Sequence, residues 1–209
     1  VDGSATFQID STKVISSVTG PINVIRQRNE EPTSAFLSIC VRPASGLPST
    51  RESYLETKLK KIITPMINME QYASTEIQIV VQILESGERE QFTCMELSCA
   101  VNSLYLALLN AGISLKASFL SSFSACKDGN IIVRPRMNEL DFSTSHHVSV
   151  FSIFDGKSDE LIYSDSLGKT TEDELFKVLD VISNDINKIN ESVRETILQG
   201  VVNDYIWKF

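Results

Sequence analysis

The alternation of apolar and polar residues predicts β-strands in the first fifth of the chain. Residues 4–9, 12–18 and 35–41 are runs rich in β-branched and aromatic residues, which is typical of strands. The triplet Thr-Gly-Pro at 19–21 ends the second run and predicts a turn. A polar loop then leads to the third run. The pattern therefore predicts a meander of three strands.

Helical spacing of apolar residues begins after this meander. Ser49 and Glu52 form the S-x-x-E pattern of a capping box. Apolar residues then recur every three or four positions at Leu55, Leu59, Ile62, Ile63 and Met66, which predicts an amphipathic helix over about 50–67. Residues 75–86 return to strict alternation, so a half-buried strand is predicted there.

The segment 95–112 is apolar or small almost throughout. A helix without a polar face is expected to be buried, and Gly112 is a natural residue to end it. Shorter strand-like runs follow at 117–126, 131–133, 147–154 and 161–166.

A long C-terminal helix is predicted after these strands. Thr171 and Glu174 form a second capping box, and one apolar face continues from there to Gly200. The tail after it carries Trp207, the only tryptophan, which could dock either on a partner or on the chain's own body. The order of elements predicts a single α+β domain over residues 1–209, with helices packed on mostly antiparallel sheets.

Composition narrows the class of protein. With 42% hydrophobic and 22% charged residues the chain is typical of globular proteins. No apolar run reaches the roughly 18 residues of a membrane span, and the first residues lack the pattern of a signal peptide, so we expect a soluble intracellular protein. The net charge of −8 disfavours nucleic-acid binding by the surface as a whole, so any RNA contact must be local or arise in an assembly.

The cysteines indicate structure rather than chemistry. Their spacing contains no C-x-x-C pair and no zinc pattern. We expect them to be buried free thiols, as is usual in a reducing compartment. They are Cys40, Cys94, Cys99 and Cys126.

The two histidines of the chain, His146 and His147, are adjacent. In a strand they would point to opposite faces, which argues against chelation of one metal ion. Cys126 could in principle pair with a histidine as a nucleophile, although a core thiol is the favoured interpretation. Several carboxylates surround this region, and the residues alone do not select among Glu139, Asp141, Asp155, Asp159 and Asp165.

Three longer segments, taken in order, carry a resemblance to a known family. They are "VDGSATFQIDSTKVISSVTGP", "VRPASGLPSTRESYLETKL" and "QILESGEREQFTCMELSCAVNSLYLALLNAGI". Together they resemble the RNase PH superfamily over nearly the whole chain, and more narrowly the fungal subunits of the RNA exosome ring. The resemblance implies an RNase PH-like fold and a nuclear, nucleolar and cytoplasmic protein in ribosomal RNA processing and RNA degradation.

The resemblance also implies partners. Members of this kind pair with another RNase PH-like subunit and form a ring of six such subunits. RNA-binding subunits cap the ring, and a catalytic nuclease associates with the exosome. RNA threads through the centre of the ring. Relatives place basic residues along that path where Arg42 and Arg51 fall here, and Arg28 and Arg26 lie in the loop before them.

Each arginine also has an alternative interpretation. All four could be solvated surface residues, which we favour for Arg26. Arg51 could instead be a helix-end residue paired with a neighbouring carboxylate. For Arg51 the two interpretations weigh about equally.

Active members of the superfamily use phosphate to cleave RNA from its 3′ end, and the resemblance implies that their site is degenerate here. They hold phosphate with a glycine-rich turn and an arginine at the start of the buried helix. Here that stretch is Cys94–Ser98, with Leu97 in place of the arginine. Their two metal-binding aspartates correspond to Leu140 and His146, or to Asp141 and His147 if the register shifts by one residue. We therefore expect no catalysis, no metal and no other cofactor.

Two further functions stay open at this point. The first is a phosphorolytic or hydrolytic nuclease, active as a homodimer, in which His146 works in an unfamiliar arrangement. The second is a protein-interaction module whose RNA contacts are incidental.

Overall fold

Two four-stranded sheets frame the molecule in the computed structural model, which describes residues 1–24, 30–127 and 129–204. The strands are β1 Gly3–Ile9, β2 Thr12–Asn23, β3 Phe36–Arg42, β4 Thr75–Glu85, β5 Ser118–Lys127, β6 Asn130–Val133, β7 Ser145–Phe154 and β8 Lys157–Gly168. The helices in these ranges are α1 Thr50–Ile63, α2 Cys94–Asn110, α3 Met137–Asp141 and α4 Glu172–Asp204, with a 3₁₀ turn at Met69–Tyr72. The predicted α+β class, with mostly antiparallel strands and a long C-terminal helix, is confirmed.

The first sheet has the order β1-β2-β4-β3, so the predicted three-stranded meander is wrong. β3 pairs in parallel with β4, and α1 connects them. Parallel neighbours need such a crossover, because a tight turn reverses the chain direction. A strand from later in the sequence thus separates β2 from β3.

The turn predicted at residues 19–21 is also wrong. β2 continues through Gly20 and Pro21, and Ile22 and Asn23 still pair with β4. The register shifts between Thr19 and Ile22, and an irregularity of this kind tolerates a proline, which has no N–H to donate.

The second sheet has the order β6-β5-β7-β8 and is antiparallel throughout. One of its two inner strands, β5, is buried on both faces. On one face Phe119 packs against Tyr105 of α2, with ring centroids 5.2 Å apart. On the other face Ser122 donates to Asp185 of α4 at 2.6 Å. Helix α2 therefore lies between the two sheets, and α4 covers the outer face of the second sheet.

The helix boundaries follow local signals with two exceptions. Ser49 and Glu52 cap α1 as predicted, but the helix ends at Ile63 rather than near residue 67. Thr171 and Glu174 exchange the bonds of the second capping box. α4 does not stop at Gly200 but continues to Asp204, since an isolated glycine is tolerated within a helix.

Several smaller features complete the fold. The short helix α3 lies in a segment for which no helix was predicted. Cys94, Cys99 and Cys126 are buried and Cys40 is half-buried, and all four are free thiols as predicted. In the described ranges no helix is long and apolar enough to cross a membrane. Trp207 lies outside the described residues.

Candidate functional site

The N-terminus of α2 holds a carboxylate from the same chain. Glu88, in the loop between β4 and α2, accepts backbone hydrogen bonds from Met95 N and Glu96 N, both at 3.0 Å. Its side chain has no exposed surface. The first N–H groups of a helix lack partners within the helix and attract anions. Glu88 therefore supplies this helix end with a carboxyl group from within the chain.

Arg51 ties the same region to α1. Its Nη1 lies 2.7 Å from Glu96 Oε2, and its Nη2 donates to the carbonyl of Phe92 at 2.7 Å. Glu88 and Glu52 follow at 3.8 and 3.9 Å. One guanidinium thus offsets part of the charge of three buried carboxylates, and these contacts match the interpretation of Arg51 as a helix-end residue paired with carboxylates.

The protonation of this cluster follows from its burial. Burial raises the pKa of Glu88 to about 7, against the effect of its backbone hydrogen bonds. Although burial opposes it, hydrogen bonds with Ser49 hold the pKa of Glu52 below its usual value. Burial beside Glu88 raises the pKa of Cys94, so this thiol is not a nucleophilic thiolate.

A buried ion pair lies next to this cluster. Lys58 of α1 is only 3% exposed, and its ammonium donates to Asp165 of β8. The same Nζ lies 3.5 Å from Thr93 Oγ1, at the start of α2, and 4.0 Å from the centroid of the Tyr54 ring. The pair therefore connects the first helix to the edge of the second sheet.

His146 faces this ion pair from β7. Its ring meets Phe92 edge-on, with centroids 5.2 Å apart. Its Nε2 is buried and has no hydrogen-bond partner in the described part of the chain. Burial lowers its pKa, Lys58 adds to this effect and Asp165 opposes it. The ring is therefore neutral near pH 7.

His147 points to the opposite face of β7, as predicted. Its Nε2 lies 3.0 Å from Ser145 Oγ, and its Nδ1 lies 2.8 Å from Ser166 Oγ. It is buried, which lowers its pKa. Both ring nitrogens of His147 thus form hydrogen bonds with hydroxyl groups. The two histidine rings lie on opposite faces of β7 and do not face a common site.

Both leucines that the resemblance places at degenerate site positions lie in the hydrophobic core. Leu97 belongs to the first turns of α2, and Leu140 is the buried residue of α3. Asp141, the alternative metal position, pairs with Arg89 at 3.0 Å. In the ranges that the structure covers, no three histidine, cysteine or acidic side chains gather closely enough to hold a metal ion.

The remaining candidate residues either have other surroundings or lie outside the described residues. Arg42 is exposed at the end of β3, while Arg26 and Arg28 lie outside the described residues. Glu139 caps α3 by accepting from Arg136 N at 2.8 Å. Asp155 and Asp159 are exposed at and near the β7–β8 turn. The assignment of RNA contacts to the arginines stays a prediction.

Sequence reasoning missed Glu88 and Lys58. Lys58 carried a signal, because it lies at helical spacing from Leu55 and Ile62 on the buried face of α1, where a charge needs a partner. Glu88 carried a weaker signal, because it is an acidic residue shortly before the start of a helix, where a negative charge is favourable. Neither signal identifies the partner residue.

Comparison with known proteins identifies relatives that match nearly all of the chain. Residues 1–114 match the profile described as "3' exoribonuclease family, domain 1" of RNase PH. The exosome complex component RRP46 of Saccharomyces cerevisiae is 40% identical over 206 residues, which cover 96% of this chain and 92% of that protein. The exosome complex component rrp46 of Schizosaccharomyces pombe is 28% identical over 201 residues, covering 95% and 85%.

Solved structures share the fold. A crystal structure of rice Rrp46 superposes with a TM-score of 0.82 at 22% identity, covering 95% of this chain and 89% of that one. A subunit of the Archaeoglobus fulgidus exosome with RNA bound to the active site superposes with a TM-score of 0.73 at 15% identity, covering 92% and 83%. With the profile matching more than half of the chain, the protein belongs to the RNase PH family of 3′ exoribonucleases.

Proposed function

We propose that this chain is a non-catalytic ring subunit of an RNA exosome, where it helps to form the channel for RNA that is processed or degraded from its 3′ end. Similarity to the yeast exosome components over almost the full length supports the assembly role. Its partners are other RNase PH-like subunits in the ring, RNA-binding cap subunits, the catalytic nuclease of the exosome, and RNA. Its proposed location is the nucleus, the nucleolus and the cytoplasm.

The observation that carries the non-catalytic role is the carboxylate of Glu88 on the N-terminus of α2. Two backbone N–H groups that could face a phosphate are already bonded to Glu88. Phosphate would have to displace a side chain that is fully buried and would meet Glu96 and Glu52 beside it. Leu97 offers no positive charge in compensation.

The residues present also do not fit the divalent cation of active relatives. Mg²⁺ prefers several oxygen ligands, and Leu140 is buried in the core instead. The carboxylate of Asp165, which faces His146, already binds the ammonium of Lys58. A metal ion beside that ammonium would be repelled in a site of low dielectric constant. The proposed function therefore assigns no metal ion to this chain.

A phosphorolysis assay tests this proposal. The purified full-length chain is incubated with 5′-labelled single-stranded RNA, Mg²⁺ and inorganic phosphate. We expect no nucleoside diphosphates and no shortening of the RNA. Phosphorolysis that is lost in Glu139→Gln or Asp141→Asn would contradict the proposal.

The same assay without phosphate tests the alternative of a hydrolytic nuclease. The buried Nε2 of His146, which has no hydrogen-bond partner among the residues that the structure describes, is the feature that would favour it. Cleavage that disappears in both His146→Ala and His147→Ala would support an enzyme acting as a homodimer. The proposed function predicts no cleavage by the wild-type chain.

The ring role has its own test. The native mass of the complex that contains this chain in cells should correspond to a hetero-oligomer with other RNase PH-like subunits. Within a reconstituted ring, Arg42→Ala should shorten the stretch of RNA protected from nuclease, because Arg42 is exposed and can bind phosphate. Unchanged protection would favour an interaction module with incidental RNA contacts.

A further inference from the structure

An exposed aromatic ring on α1 rests on a buried cation. The side chain of Tyr54 is a large apolar group that is 48% exposed, and the ammonium of Lys58 lies 4.0 Å from its ring centroid. Lys58 is itself held from below by Asp165 and Thr93. The ammonium therefore covers one face of the ring, while about half of the Tyr54 surface is open to solvent.

This arrangement suits the stacking of a nucleobase. An ammonium on one face of an aromatic ring interacts with its electron density and orients it. An oriented ring loses little conformational entropy when a second flat ring stacks on it. Proteins that bind single-stranded nucleic acid use aromatic platforms of this kind beside positive charges.

The exposed face of α1 supplies the remaining groups. Thr57 and Lys61 follow Tyr54 at three and seven residues and are both exposed, which places Lys61 about 10 Å along the helix axis from Tyr54. Thr57 Oγ1 donates to the Ser53 carbonyl at 2.9 Å, so its lone pairs stay available to accept a hydrogen bond. Lys61 offers a cation for a phosphate.

The neighbouring carboxylates are already engaged. Glu52 bonds with Ser49, and Glu56 accepts from Val41 N at 2.9 Å. Asp165 is paired with Lys58. The stripe of Tyr54, Thr57 and Lys61, called the α1 stripe below, therefore presents an aromatic face, a hydroxyl group and a positive charge.

We propose that the α1 stripe binds single-stranded RNA, with a base stacked on Tyr54 and a phosphate on Lys61. This inference rests on the proposed function, because it assumes that RNA reaches this side of the subunit. It assigns the RNA contact to residues that sequence reasoning did not select.

Binding of a fluorescein-labelled oligoadenylate to the full chain and to the reconstituted ring tests the proposal. Tyr54→Ala should weaken binding about 5- to 150-fold, since a stacked base contributes that much, and Tyr54→Phe should retain nearly all of the affinity. Lys61→Ala should reduce the magnitude of the slope of log affinity against log salt concentration by about 0.7, as expected for one phosphate contact on a single strand, whereas Tyr54→Ala should leave this slope unchanged. Phe154→Ala is the matched control, because Phe154 is 76% exposed at the β7–β8 turn and should not matter.

A second measurement does not depend on a variant. Photocrosslinking of RNA containing 5-bromouridine to the wild-type ring should attach a nucleotide within the α1 stripe. Equal affinity of wild type and Tyr54→Ala, or crosslinks only elsewhere, would overturn this inference while leaving the proposed function intact. An equal loss of RNA affinity in Tyr54→Phe and Tyr54→Ala would overturn stacking and indicate that the hydroxyl group makes the contact. No RNA binding by the wild-type ring would overturn the proposed function as well.

Discussion

Glu88 shows how one side chain changes the character of a helix end. The N-terminus of α2 has unpaired N–H groups and a positive dipole, which in general favour an external anion. Here a carboxyl group of the chain itself takes that place, at 3.0 Å from two of those N–H groups. Its effective concentration at the site exceeds that of any dissolved phosphate, because no translational entropy is lost when it binds.

Replacement of Glu88 by glutamine should change how stability depends on pH. The folded protein holds this proton more tightly than the unfolded chain, since the pKa of Glu88 rises from 4.5 to about 7 on burial. The stabilising contribution of this proton is therefore complete below pH 4.5 and is lost as the pH rises to about 7. The loss is on the order of 3 kcal/mol in the free energy of unfolding.

Urea denaturation between pH 4.5 and 8 measures this effect as the difference in the free energy of unfolding between wild type and Glu88→Gln. We expect the decline between pH 4.5 and 7 to be absent from the variant, because glutamine does not titrate. Glu90→Gln is the control, since Glu90 lies in the same loop but is exposed. Parallel pH profiles for wild type and Glu88→Gln would refute the assignment.

At the scale of elements, Lys58 connects α1 to β8, which otherwise belong to different layers. The pair with Asp165 joins residues from the first helix and the edge strand of the second sheet. Both charged groups are largely removed from water, so each charge depends on the other for stabilisation.

Lys58→Met should therefore destabilise the protein by about 2–4 kcal/mol, because it leaves Asp165 without its partner. The double variant Lys58→Met/Asp165→Leu should recover much of this loss, since the unpaired charge is then gone as well. Thermal and urea unfolding measure both. The exposed Lys61→Met should stay within about 0.5 kcal/mol of wild type, and an equally small effect of Lys58→Met would contradict the connecting role.

At the scale of the whole molecule, β1 packs against the end of α2, although the two are about a hundred residues apart in the chain. Gly3 makes this possible, because a Cβ atom there would lie 2.3 Å from Ala111 N and 2.5 Å from Ala107 O. These are backbone atoms, which cannot move aside as a flexible side chain could. The glycine at the start of the family pattern thus has a packing reason.

Gly3→Ala is expected to destabilise the fold by roughly 2–4 kcal/mol, since overpacking against backbone forces β1 away from α2. The urea midpoint measures this loss. Ser4→Ala on the same strand provides the comparison, because Ser4 is exposed and should tolerate the change. A midpoint for Gly3→Ala equal to that of Ser4→Ala would show that the contact is not tight.

The sequence alone was sufficient for features that depend on near neighbours. Ser49 with Glu52 and Thr171 with Glu174 cap their helices as their spacing predicts, because each bond spans three residues. Gly112 ends the helical register of α2 with φ of +69°. Alternation located β4, and the all-apolar pattern located the buried helix.

Tertiary structure decided the features that join distant residues. One such feature is the position of β4 between β2 and β3. Others are the hydrogen bonds of Glu88 to α2, the three carboxylates around Arg51 and the Lys58–Asp165 ion pair. A spacing pattern reports which face of an element is apolar, but it does not report what that face meets. The charges of the candidate site are paired across elements, so only the packed molecule determines which of them is free to bind a ligand.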